Sequence, residues 1–206
     1  MHATFHARTI ARAFAVAAFL AATSPAAAQH GAPGEPLNTR APAEANQYDF
    51  LVGQWDLTVT PQAKGLAGMI HGAPKMKGTW KGWRALEGHG VEDEMRIVDP
   101  SGNPAALTKF IRVYDASARA WSVTSVDAYR AKVATAVVKL TDGTMVSATG
   151  ASLTDADGKS YVTRTRVTDI KPDAFTYLQE RSYDGGSKWE VNLKVEAKRT
   201  AATAPR

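Results

Sequence analysis

The residues with the clearest chemical potential are a carboxylate and a guanidinium in two neighbouring apolar rows. In Val91-Glu92-Asp93-Glu94-Met95-Arg96-Ile97 the alternation puts Asp93 on the same side of an extended chain as Val91, Met95 and Ile97. Arg112 shares a side with Phe110 and Tyr114 one segment later. An inward carboxylate is costly unless it is paired or hydrogen-bonded, so Arg112 is its natural partner. Two uses of such a pair stand open: an ion pair that fixes strand register, or a polar anchor inside a ligand cavity. On the second reading Tyr114, Trp80 and Trp83 join Asp93 and Arg112 as candidate ligand-binding residues. An acid–base centre built from the same cluster is a third use, and it needs a carboxylate whose proton affinity is raised by burial.

Other chemistries find little support. The chain has no cysteine, which removes disulfides, thiolate metal sites and a thiol nucleophile. Of its 5 histidines, His30, His71 and His89 lie beyond residue 28, scattered and without ligand spacing, so no metal site and no cofactor is expected. No G-x-S-x-G element is present. Asp155-Ala156-Asp157-Gly158 echoes a calcium loop, but its glycine comes early and no glutamate closes the shell, so it reads as a hairpin turn. Arg164 and Arg166 beside Val162, and Gln179 and Arg181 beside Tyr177 and Phe175, form two further polar groups that a solvated exterior explains.

The elements that must carry these residues have a period of two. Trp189, Val191, Leu193 and Val195 alternate with Glu190, Asn192, Lys194 and Glu196, and Leu51, Gly53, Trp55, Leu57 and Val59 form a similar row. Further strand-like runs cover about 78–86, 89–98, 107–114, 120–127, 132–140, 144–150, 160–168 and 174–182. Turn chemistry separates them: Asp99-Pro100-Ser101-Gly102, Thr141-Asp142-Gly143, Asp155 to Gly158 and Tyr183-Asp184-Gly185-Gly186. No long capped helical pattern appears. About ten short strands predict an all-β fold, an antiparallel up-and-down barrel, because an open sheet of that width exposes two pairing edges. Trp55 on the first inward row fits a plug at the barrel floor with its N–H bonded to backbone. The segment from Pro61 to Lys77 breaks the spacing and reads either as a flap over the barrel mouth or as a ragged hairpin extension.

At the N-terminus, Arg8 and Arg12 precede the apolar run Ala13 to Leu20, and Ala26-Ala27-Ala28 offers a cleavage site. Residues 1–28 therefore read as a secretory signal peptide, too short in its apolar core to span a bilayer. Residues 29–46 read as a disordered linker, 47–199 as a single barrel domain and 200–206 as a disordered tail. The formal charge of +5 falls to +3 without the two leader arginines, and the remaining cations form no run, so no nucleic-acid partner is expected. The expected location is periplasmic or secreted, with no transmembrane segment in the mature chain.

Tyr48-Asp49-Phe50-Leu51-Val52-Gly53-Gln54-Trp55 resembles the opening G-x-W strand of calycin-type barrels, the lipocalins and their relatives. In that superfamily a basic residue near the last strand covers this tryptophan, which implies a closure role for Gly53, Trp55 and Arg199, with Lys198 the weaker match. Arg112-Val113-Tyr114-Asp115, Trp121 and Asp184-Gly185-Gly186-Ser187-Lys188-Trp189 extend the similarity to exported lipocalin-like bacterial proteins of unknown function, across residues 48 to 199. Some relatives hold haem through a late histidine. None follows position 89 here, so that property does not transfer.

The function these features favour is binding of a small, partly apolar or amphipathic molecule inside the barrel. A cofactor-free isomerase, lyase or hydrolase using the Asp/Arg/Tyr cluster, and a filled barrel acting as an interaction module, remain the alternatives. Ligand identity and oligomeric state are open.

Overall fold

In the computed structural model the described residues are 37, 39–63 and 72–203. The chain divides into two units, residues 1–37 and 38–206, and the barrel belongs to the second. The expected signal peptide, and the core of the Pro61–Lys77 segment, lie outside the described residues.

Alternating apolar residues give eleven strands, all antiparallel to their neighbours: β1 (Gly53–Pro61), β2 (Met76–Ala85), β3 (Gly90–Val98), β4 (Pro104–Asp115), β5 (Ala120–Asp127), β6 (Lys132–Thr141), β7 (Thr144–Ser147), β8 (Leu153–Thr154), β9 (Ser160–Thr168), β10 (Ala174–Ser182) and β11 (Glu190–Ala201). Each pairs with the next through β7, which reaches β9; β9 pairs with β10, β10 with β11, and β11 returns to β1. The ring is thus a closed ten-stranded antiparallel barrel of lipocalin-like form, with the two-residue β8 attached to β9 outside it. Closure removes the two free edges an open sheet would carry. The tight turns follow their residues: between β6 and β7, Asp142 and Gly143 take φ of 48° and 72°, the double positive φ of a two-residue hairpin.

The inner rows form one core. Trp55, Trp80, Tyr48 and Trp121 are its largest fully buried members. Phe175 packs edge-on against both Trp55 and Trp80, at centroid separations of 4.8 and 5.4 Å. Edge-to-face pairs of this kind add about 0.5–1.5 kcal/mol beyond area burial.

One end of the barrel is closed by a 3-10 helix, Ala43–Leu51. Here the structure corrects two expectations. Tyr48 to Leu51 belong to this helix, so β1 starts only at Gly53. The helix also begins inside the segment read as a disordered linker, and Ala45 is 1% exposed. What holds it is tertiary: Arg84 Nη1 donates to the Ala45 carbonyl (3.1 Å), and Trp121 Nε1 donates to Gln47 Oε1 (2.9 Å). At the other terminus β11 runs to Ala201, past the expected domain end at 199.

A further correction concerns the closing strand. Gln179 pairs with Leu193, but Glu180 pairs with Val191, so Asn192 is skipped. This bulge turns Val191 to the outer face beside Glu180, where it is 41% exposed, while Val195 and Ala197 stay inside.

The barrel wall is thinnest between β6 and β9. β7 pairs β6 only over Val138–Thr141, and it meets β9 only at Met145 and Val146. Residues 132–136 of β6 therefore have no backbone partner on that side among the described residues, and the Val137 carbonyl accepts from the Ala148 N–H at 2.7 Å.

Candidate functional site

Strand alternation delivers Asp93 and Arg112 to the barrel interior from adjacent strands, and there they meet. Arg112 Nε donates to Asp93 Oδ2 (2.6 Å) and Nη2 donates to Oδ1 (3.0 Å), a bidentate fork. Trp80 Nε1 adds a third bond to Asp93 Oδ1, at 2.7 Å. Asp93 is 0% exposed and Arg112 6%. The guanidinium carbon lies 4.7 Å from the Tyr48 ring centroid and 4.9 Å from that of Phe110. Burial works against the Arg112 charge, but the attraction of Asp93 outweighs it and holds the guanidinium's pKa above its ordinary value. Burial is also the chief reason the Tyr48 and Tyr177 hydroxyls are pushed above the ordinary tyrosine value of 10.0. Both are neutral donors at physiological pH.

Above this floor lies a cavity of about 360 Å³. Its walls are mainly apolar, with Leu51, Met95, Phe110, Val123, Val138 and Met145 among them. Arg112, Tyr177 and Gln179 bring polar groups to the interior, and Gln179 Nε2 donates to the Tyr177 hydroxyl at 3.3 Å. At the outer end the lining turns polar, with Ser125, Asp127 and Lys132 on the β5–β6 hairpin. Asp127 is held there by Arg130, whose Nη1 donates to Oδ2 at 2.8 Å. Ala134 and Thr135 line the cavity while remaining exposed, so it reaches solvent along the unladdered stretch of β6.

The expected site residues divide. Arg112 and Trp80 line the cavity, and Asp93 stands behind them as their shared acceptor. Tyr114 does not reach the cavity: it packs edge-on against Trp121, 5.5 Å away, toward the closed end. Trp83 is on the outside of the barrel. It is three residues from the inward Trp80, an odd step that reverses the face of a strand, and Lys109 Nζ lies 5.5 Å from its ring centroid. Gln179, expected on a solvated exterior, is inside. The signal for it is the row Phe175, Tyr177, Gln179, whose first two members are core. Arg164 and Arg166 are outside, where both pair with the buried Glu180 at 2.5 and 3.4 Å.

The same closed end is held by the G-x-W element. Trp55 Nε1 donates to the Leu51 carbonyl at 3.0 Å. Arg199 lies 4.0 Å from the Trp55 ring centroid. Its three guanidinium nitrogens donate to the carbonyls of Pro172, Val52 and Phe50 at 2.5, 2.5 and 2.9 Å. Gly53 has φ of +127°, and a Cβ there would collide with Arg199 Nη1 and stand 2.5 Å from the Ala201 carbonyl oxygen. Arg199 thereby ties the helix end to the closing strand at the point where only glycine leaves it room.

No protein-family model matches the chain, and no curated protein matches it. Solved structures similar to it include the S-type phycobiliprotein lyase CPES from Guillardia theta, at 9% identity over 76% of this chain and 90% of that one, with a TM-score of 0.46. EF1p2_mFAP2b bound to DFHBI is 10% identical over 77% of this chain and 100% of its own, TM-score 0.39. A de novo fluorescence-activating β-barrel is 11% identical over 76% and 97%, TM-score 0.37. Likenesses this distant say nothing of what this chain binds. No helix among the described residues is long and apolar enough to cross a membrane.

Proposed function

We propose that this chain is an exported small-molecule-binding protein related to the lipocalin-like bacterial proteins its opening motif resembles, and that it holds a partly apolar ligand in the barrel. One observation carries the reading: an apolar cavity of about 360 Å³ inside a closed barrel, with one buried, charge-balanced guanidinium among its lining groups. That volume falls at the small end of ligand cavities, roughly 300–1,000 Å³, and a few convergent polar groups on apolar walls are the usual means of fixing a ligand's orientation. Asp93, Arg112 and Trp80 form the anchor; Tyr177 and Gln179 join them in place of Tyr114 and Trp83.

The acid–base alternative draws less support. Both oxygens of Asp93 are occupied by Arg112 and Trp80, and it stands behind the lining groups, away from any substrate proton. The interaction-module alternative assumes a filled barrel, and this barrel has a cavity. Export rests on the leader sequence alone.

The test is native mass spectrometry of the protein purified from the cell envelope of its own host. Retention of a small molecule that is shed on gentle activation is the expected result. A bare polypeptide mass that takes up none of the added apolar probes refutes binding.

A further inference from the structure

We infer that the cavity selects molecules with an apolar body and an uncharged oxygen acceptor at the inner end, such as a ketone, ester or amide carbonyl, over the matching carboxylate. This deepens the binding reading above and rests on it.

Arg112 divides its donors between the protein and the cavity. Nε and Nη2 are given to Asp93. Nη1 makes no hydrogen bond to Asp93, and the guanidinium also donates to the Tyr48 hydroxyl. Two of its five N–H groups go to Asp93 and one to Tyr48, which leaves two on a side chain that lines the cavity. The Tyr48 hydroxyl, which also lines the cavity, accepts from Arg112 and keeps its own proton to give. Tyr177 accepts from Gln179 and keeps its own proton to give. Three donors thus converge on the inner end of an apolar space.

Charge decides which acceptor they take. Asp93 already neutralises Arg112, so the pair presents donors with no net charge. A carboxylate entering here would be a second anion beside Asp93, stripped of water and with no cation left to offset it, and burying such a charge is expensive. A carbonyl takes the same hydrogen bonds without that cost, and bonds to a charged donor are the stronger kind. Lys132 offers a positive charge, but it sits on the exposed β5–β6 hairpin at the outer end, where water screens it.

The experiment is calorimetric titration of the purified full-length mature protein with decan-2-one, methyl decanoate, decanoate and decane at neutral pH. The expected order places the ketone and ester about tenfold or more ahead of decanoate and also ahead of decane. Asp93→Asn removes the counter-charge while leaving an acceptor for Trp80, and in that variant decanoate is expected to overtake the ketone. If Asp93→Asn does not fold, the wild-type order still decides. Decanoate binding as tightly as the ketone or ester overturns the inference and leaves a binding barrel standing. Binding by none of the four probes overturns the inference too, and a retained molecule in the native mass spectrum then decides separately whether the barrel binds anything.

Discussion

Arg112 and Asp93 meet diagonally across β3 and β4: Asp93 is opposite Phe110 in the ladder and Arg112 is opposite Val91, yet the guanidinium reaches across to take both carboxylate oxygens. Each is the other's counter-charge in a space largely closed to water. Removing one is therefore far worse than removing both.

Asp93→Ala is expected to cost about 3–5 kcal/mol, because it strands a buried cation, whereas the double variant Asp93→Leu, Arg112→Met should come out near neutral or better. Urea denaturation of the single and double variants measures both. A stable double variant that no longer retains ligand assigns the pair to binding; one that retains ligand as well as the wild type assigns it to register alone.

Arg199→Ala is expected to cost about 2–4 kcal/mol, since it removes a stacked cation from Trp55 and leaves the Pro172, Val52 and Phe50 carbonyls without their donor. Arg199→Lys should recover little, because an ammonium cannot serve three separately placed acceptors from the plane of a ring. Thermal unfolding followed by tryptophan emission reads both variants.

Gly53→Ala should destabilise by more than Gly102→Ala, although both glycines have positive φ. At Gly102 (φ 88°) a Cβ meets nothing within 4 Å and only the left-handed backbone is strained, a cost of about 1–2 kcal/mol. At Gly53 the Cβ also collides with the backbone of β11 and with Arg199. Equal denaturation midpoints for the two variants would refute the close approach.

Stability should fall in alkali. Burial raises the Tyr48 and Tyr177 hydroxyls above 10.0, so the folded state holds their protons more tightly than the unfolded chain does. Their contribution is intact below about pH 10 and is lost as pH climbs from there toward the folded values. Urea midpoints across that range check it, and Tyr177→Phe should flatten the decline.

The ladder is readable from residue alternation because a strand has a fixed period, and the same parity brings Asp93 and Arg112 to one interior. Two of the failures share a cause, a tertiary setting that no local pattern carries. The helix at Ala43–Leu51 has almost no amphipathic pattern of its own and is held by Arg84 and Trp121 from elsewhere in the chain. The bulge at Asn192 leaves no mark in its own sequence, so alternation alone puts Val191 inside. Trp83 is a different case: its odd spacing from Trp80 already sets the two on opposite faces. Gln179 reads as exterior only when its polarity is weighed above the aromatic row it ends.

Trp83→Phe should accordingly leave ligand retention unchanged, whereas Trp80→Phe, which deprives Asp93 of one donor, should weaken it. Co-purified ligand occupancy compares the two.

The most direct measurement is a set of intermolecular nuclear Overhauser effects between a bound decan-2-one and methionine methyls labelled in the protein. Binding inside the barrel requires contacts to Met95 and Met145, which line the cavity. Contacts confined to the outer surface around Trp83, or none to either methionine at saturating probe, would contradict it.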